Sequence, residues 1–180
     1  VGEGARPVAA ILHLSGPKRG RTQRLFGDAL YLEPIARAGA AAVPAGRSRG
    51  ASRIASLRRS DAGYTLVAEP EREIWVNGER VREHRLQSGD LIEIGGGPVL
   101  RYRVYAQGAS VYKSVRQVLS DCRECAEQDS RPLWAKAPAM LRDMLTGLAT
   151  QTSRRFRLLV VAGFAALALV IGLQSVQTRD

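Results

Sequence analysis

Residues 72–105 read "REIWVNGERVREHRLQSGDLIEIGGGPVLRYRVY", and the choice of fold turns on them. Asn77-Gly78 is a dipeptide that accepts positive φ at both centres of a type I′ turn, and Ile74, Val76 and Val81 flank it as strand residues. A Ser-Gly-Asp turn follows at 88–90, then a strand over 91–94, a Gly-rich turn, and a last strand with Leu100, Tyr102 and Val104 on one face. Asn77, Gly78, Gly89 and Asp90 are read as structural turn residues. Their work is to reverse the chain.

Working outward, "VAAILHL" (8–14) is an apolar run suited to a buried strand, and "LFGDALYL" (25–32) and "GYTLVAE" (63–69) bring β-branched and aromatic residues bounded by Gly and Asp. Many short strands at close spacing predict a mainly β chain, with a β-sandwich over residues 9–106 and an N-terminal extension over 1–8. The stretch "ARAGAAAVPAGRSRG" (36–50) is expected to be a long, mobile loop.

Residues 107–155 change character. Val111, Val115, Val118, Leu119 and Cys122 fall at helical spacing, which predicts an amphipathic helix that packs on the sandwich or on a neighbour. "SRPLWAKAP" (130–138) is expected to break it. A second helix is expected over "AMLRDMLTGLATQTS" (139–153), where Met140, Leu141, Met144, Leu145 and Leu148 form an apolar stripe. Two destinations fit that stripe, the bilayer surface or the face of the domain.

Between Arg157 and Arg179 stand 21 residues without a charge. As a helix they rise roughly 32 Å, close to the hydrocarbon thickness of a bilayer. A transmembrane helix over 156–178 is expected, preceded by the helical juxtamembrane connector of 107–155. Arg154, Arg155 and Arg157 crowd its N-terminal side and only Arg179 follows it. Positive charge stays on the cytoplasmic side. A single-pass inner-membrane protein with a cytoplasmic N-terminal domain is expected, its C-terminus on the far side. The missing initiator Met and the early stop after the apolar stretch raise the expectation of a larger parent protein.

The formal net charge is +10, which draws the chain to anionic surfaces. The excess is spread out: residues 1–106 carry 17 basic and 11 acidic side chains, and residues 107–157 carry 9 and 5. With no lysine-rich arm, nucleic acid is not expected as a partner. The basic run "GPKRGRTQR" (16–24), holding Lys18, Arg19, Arg21 and Arg24, lacks the Gly-Lys-Ser/Thr end of a nucleotide-binding loop and reads as a hairpin tip near anionic lipid. Cys122 and Cys125 form a C-x-x-C pair, but the two histidines, His13 and His84, sit on distant strands, so a metal site is not expected and the pair reads as part of a helix face. A zinc site shared between two chains is the alternative. No nucleophile with a base and no paired carboxylates stand out. The chain is expected to be non-enzymatic and to need no cofactor.

The order of elements in "WVNGERVREHRLQSGDLIEIG" and its closing strand resembles the C-terminal half of a forkhead-associated (FHA) domain, and the resemblance runs from about residue 9 to residue 105. It implies an eleven-stranded β-sandwich that presents loops at one end to phosphothreonine peptides. The family grips phosphate with an Arg after a strand, a Ser and a His in "S..H", and an Asn before the "VNG" strand. A dianion needs such charge-assisted donors held in place. Here the resemblance lays the Arg-bearing pair on Glu33 and Pro34, the serine on Ala51 and the histidine on Ile54 (or, one register on, Ser52 and Ala55), and the Asn on Arg72. The phosphate grip is therefore expected to be lost. Arg47, Arg49, Ser52, Arg53 and Arg72 remain as the residues that would rebuild an anion or phosphopeptide site.

The reading that follows is a membrane-anchored FHA-like docking module of a larger protein, not dependent on phosphothreonine. Its partners would be a protein, a phosphoprotein among the candidates, and the lipid bilayer, with a homo-oligomer allowed. Some bacterial proteins of similar layout continue into a trypsin-like protease domain. The alternatives are an inner-membrane ring component of a type III secretion-like assembly and a phosphothreonine-dependent signalling adaptor.

Overall fold

The structure, a computed structural model, describes residues 8–35, 39–48, 53–61, 63–105, 113–129, 131–153 and 155–163. The strands are β1 (Val8–His13), β2 (Thr22–Arg24), β3 (Ala29–Ile35), β4 (Gly39–Pro44), β5 (Ala55–Ser60), β6 (Gly63–Ala68), β7 (Ile74–Val76), β8 (Glu79–Arg80), β9 (Glu83–Arg85), β10 (Leu91–Ile94) and β11 (Val99–Tyr105). Two sheets stack face to face. One runs β2-β1-β11-β10-β7-β8 and the other β4-β3-β5-β6-β9, with antiparallel neighbours throughout.

Strand alternation fills the space between them. Ala55 and Leu57 of β5, Leu66 of β6 and Ile92 of β10 point inward, and Leu100 and Tyr102 of β11 are fully enclosed with them. The Tyr64 hydroxyl donates to the Gly27 carbonyl at 2.6 Å, which satisfies the polar tip of a buried ring. Gly63 has φ of 152° and lies where an added Cβ would come within 2.6 Å of the Tyr102 oxygen. Glycine is required there on both counts.

The expected loop over 36–50 is corrected in its centre. Gly39–Pro44 is strand β4, paired with β3 from Ile35↔Gly39 to Leu30↔Pro44. Alanine has no strand preference of its own, and what makes this segment a strand is burial: Ala40, Ala41 and Ala42 are all buried. As an edge strand it also needs a partner for its outer backbone groups. Gln23 of β2, on the other sheet, supplies it, donating through Nε2 to the Ala42 carbonyl and accepting from the Ala42 N–H. The segment closes with a short 3-10 turn at Ala45–Arg47.

Helix α1 (Val115–Glu127) starts at a Ser114–Gln117 capping box, and α2 is Leu133–Gln151. The break expected across 130–138 is thus shorter than its sequence suggests. Pro132 stops the backbone, but the helix begins at the next residue and carries Pro138 inside it. Helix α1 covers the outer face of the six-stranded sheet, where Cys125 packs with Leu12 and Leu14. This cover explains the unbroken apolar run of β1: Ala9 and Ile11 face the sandwich core while Leu12 and Leu14 face the helix. Gly147 of α2 lets that helix close on α1, since a Cβ there would lie 2.8 Å from a Val118 methyl. Val115 and Leu119 stay exposed, and Val111 lies outside the described residues.

Residues 155–163 are helical and present Leu158, Leu159, Val160 and Val161 to the surroundings. Among the described residues no helix is long and apolar enough to cross a membrane. Most of the span expected over 156–178 lies outside them.

Candidate functional site

The residues expected to touch an anion fall on the β4–β5 and β6–β7 connections. Arg53 leads into β5. Its guanidinium sits 3.8 Å above the centroid of Tyr31, and its Nε donates to the Ser48 hydroxyl at 3.3 Å. Ser48 in turn donates to a Glu33 carboxylate oxygen. The guanidinium thus has its face on an aromatic ring and one N–H tied through a hydroxyl to a carboxylate. Glu33 stands where the family resemblance places the arginine, so the local sign is reversed. Ile54, at the histidine position, is buried and belongs to the core. It cannot contact a ligand without unpacking the sandwich.

Arg47 lies exposed on the 3-10 turn, and Arg72 lies exposed on the β6–β7 turn, its N–H bonded to the Glu69 carbonyl at 2.9 Å. Arg49 and Ser52 lie outside the described residues. Arg72 borders an open cavity of about 600 Å³ together with Glu71, Glu73, Trp75 and Glu93. Three carboxylates around one guanidinium repel a phosphate dianion. The structure joins Arg53 to Ser48, Glu33 and Tyr31, and it leaves Arg72 in acidic company. Ser48 and Tyr31 were not legible as site residues, although Tyr31 could have been flagged as an outward aromatic on an alternating strand.

The turn residues make a second network. Asn77 has φ of 53° and Gly78 φ of 83°, as a type I′ turn demands. The Asn77 side chain also bridges to the next loop, donating to Asp90 Oδ1 and accepting from the Leu91 N–H, both at 2.9 Å. Asp90 is buried and accepts in addition from the Gln87 N–H at 2.7 Å, with His84 Nε2 at 3.2 Å. Burial pushes the Asp90 carboxyl up, but the hydrogen bonds from Gln87, Asn77 and His84 outweigh it and leave the group below the usual carboxylate range. Gly89 holds φ of 107° beside it. This network fixes loop geometry and offers no open coordination.

A third cluster was missed in the sequence. Arg19, at the β1–β2 tip, is not free to meet lipid: it pairs with Asp129 at 2.7 Å and with Asp143 at 3.0 Å, and donates to the Cys125 carbonyl at 3.0 Å. Arg131 and Arg19 hold the Asp129 carboxyl well below its ordinary range. On β11, Arg103 reaches Asp121 at 2.7 Å and also Glu124, and Lys113 closes on Asp121. The signal for this docking lay in period-two arginines at 101 and 103 facing acids one helical turn apart at 121 and 124. The C-x-x-C thiols belong to the same packed face. Both are free and buried, and burial pushes the Cys125 thiol up to about 11, which leaves it unreactive. Among the described residues no group of three or more His, Cys, Asp or Glu is placed to hold a metal ion.

No protein-family model matches the chain, and no curated protein matches it. Solved structures do. The FHA domain of an Arabidopsis thaliana hypothetical protein is 16% identical, with 61% of this chain and 98% of that chain covered and a TM-score of 0.48. The Slr1951 protein from Synechocystis sp. is 23% identical over 56% and 99% of the two chains, with a TM-score of 0.43. The yeast Dun1 FHA domain, solved in complex with a doubly phosphorylated peptide derived from Rad53, is 12% identical over 74% and 89%, with a TM-score of 0.38. On the eleven strands and the six-plus-five sheet order among the described residues, and on the "VNG…SGDLIEIG" segment, this chain forms a β-sandwich that matches the forkhead-associated fold.

Proposed function

We propose that the chain is a membrane-anchored docking module of a larger single-pass protein, which holds a protein partner at the cytosolic leaflet without reading phosphothreonine. The observation that carries the second half is the Glu33–Ser48–Arg53 chain. A phosphopeptide would have to displace a hydroxyl from a carboxylate and then seat its own dianion beside that carboxylate. The cost of burying like charges together opposes this. In this reading residues 156–178 form the anchor, as the 21 uncharged positions after Arg157 support. The α1–α2 layer, ion-paired to the sandwich, couples the docking module to the anchor.

The test is a phosphothreonine peptide library presented to the detergent-solubilised chain beside its unphosphorylated counterpart. Equal, weak retention of the two libraries is expected. Selective enrichment of phosphorylated sequences, abolished by Arg53→Ala, would show that an anion grip survives.

A further inference from the structure

Helix α2 has two unlike faces. At ~100° per residue, Asp143, Gly147 and Gln151 share one face, and this face is docked: Asp143 pairs with Arg19, Gly147 meets Val118, and Gln151 donates to the Gly20 carbonyl at 3.0 Å. The opposite face carries Trp134, Leu141 and Leu145, whose exposures are 81%, 54% and 54%. An indole and two leucines outermost, opposite a docked face that holds Asp143 and Gln151, depart from the usual order of a surface helix.

We infer that this outward face of α2 lies in the headgroup region of the cytosolic leaflet, with anionic lipid as its ligand. The inference rests on the anchored reading above and adds which surface meets the bilayer. Three observations choose lipid over another occupant. Residues 155–163, which follow α2 closely in the chain, expose Leu158, Leu159, Val160 and Val161 too. Arg157 reaches back to the Ala149 carbonyl at 3.0 Å, so its charge stands at the C-terminal end of the same face, where the expected span begins. Arg142 lies exposed on its border, one residue past Leu141. Apolar side chains bordered by guanidinium groups match acyl chains below and anionic headgroups above, and Trp favours that boundary.

The chain has two tryptophans, so Trp75→Phe leaves Trp134 as the sole reporter. The full chain carrying that change is reconstituted one copy per nanodisc, in phosphatidylcholine with phosphatidylglycerol. Trp134 emission is expected to shift to the blue and to be quenched by lipids brominated near the headgroup end of the acyl chain. Leu141→Glu with Leu145→Glu, both at exposed positions, should abolish the quenching while the chain stays in the disc. Unquenched, water-like emission from an embedded chain overturns this inference alone. Quenching or a blue shift seen only when two copies share a disc assigns the face to a second chain and overturns it as well. A chain that stays monodisperse without detergent or lipid overturns the anchored reading and this inference with it.

Discussion

Asp90 is a single carboxylate on which two loops converge. It accepts from Asn77 and the Gln87 N–H with His84 alongside, while Asn77 holds the I′ turn. Asp90→Ala removes all three partners at once and should cost about 3 kcal/mol, read as a lower midpoint in urea unfolding followed by Trp75 emission in a Trp134→Phe background. His13 gives a pH signature. Burial, with the nearby Lys18 charge, lowers its pKa to about 4, against a weaker raising effect of Gln23. The folded state therefore refuses a proton that the unfolded state takes between the ordinary value of 6.5 and about 4. Stability should be full above this window and fall as pH drops through it, by up to about 3 kcal/mol. Denaturation midpoints at pH 7 and pH 4.5 measure the slope, and His13→Phe should flatten it. At this scale Asn77, Gly78 and Gly89 were legible, because positive φ restricts the choice of residue so sharply. The Glu33–Ser48–Arg53 chain was not, because it joins residues far apart in sequence through a geometry that no local pattern encodes.

Elements with their own propensity announced themselves, and those held by context did not. Strands β10 and β11 alternate cleanly, and α1 has its capping box and its amphipathic spacing. The strand at 39–44 had neither, being alanine-rich and flanked by glycine and proline; only pairing with β3 and the Gln23 clasp make it a strand. The interface between β11 and α1 depends on Asp121, buried between Arg103 and Lys113 whose side chains are 19% and 12% exposed. Asp121→Ala leaves two cations without their shared counter-ion. A loss of about 3 kcal/mol from α1 docking is expected, somewhat below the full cost of an orphaned buried charge because Glu124 still holds Arg103. Hydrogen exchange should accelerate in α1 and at the outer face of β1, and stay unchanged in the five-stranded sheet.

Across the whole molecule, local charge arrangement outweighs totals. Residues 1–106 and 107–157 are both net positive in sequence, at +6 and +4, so their attraction is invisible in segment sums. It comes from Asp121, Glu124 and Asp143 on the helices and Asp129 between them, gathered opposite Arg19, Arg101 and Arg103. Those pairs hold Arg19, Arg101 and Arg103 against the connector, and in the proposed reading Arg142 and Arg157 border the surface that meets lipid. The sandwich matches the forkhead-associated fold, while Glu33, Ser48, Arg53 and Tyr31 contact one another at the strand end where the resemblance lays the phosphate grip. The most direct measurement follows the Arg53 Nε–H resonance in a 15N spectrum as a phosphothreonine peptide is titrated into the detergent-solubilised chain. The resonance should stay in place through millimolar peptide, held by Ser48 and Tyr31. A saturable shift at micromolar peptide, absent with the unphosphorylated version, would contradict the account.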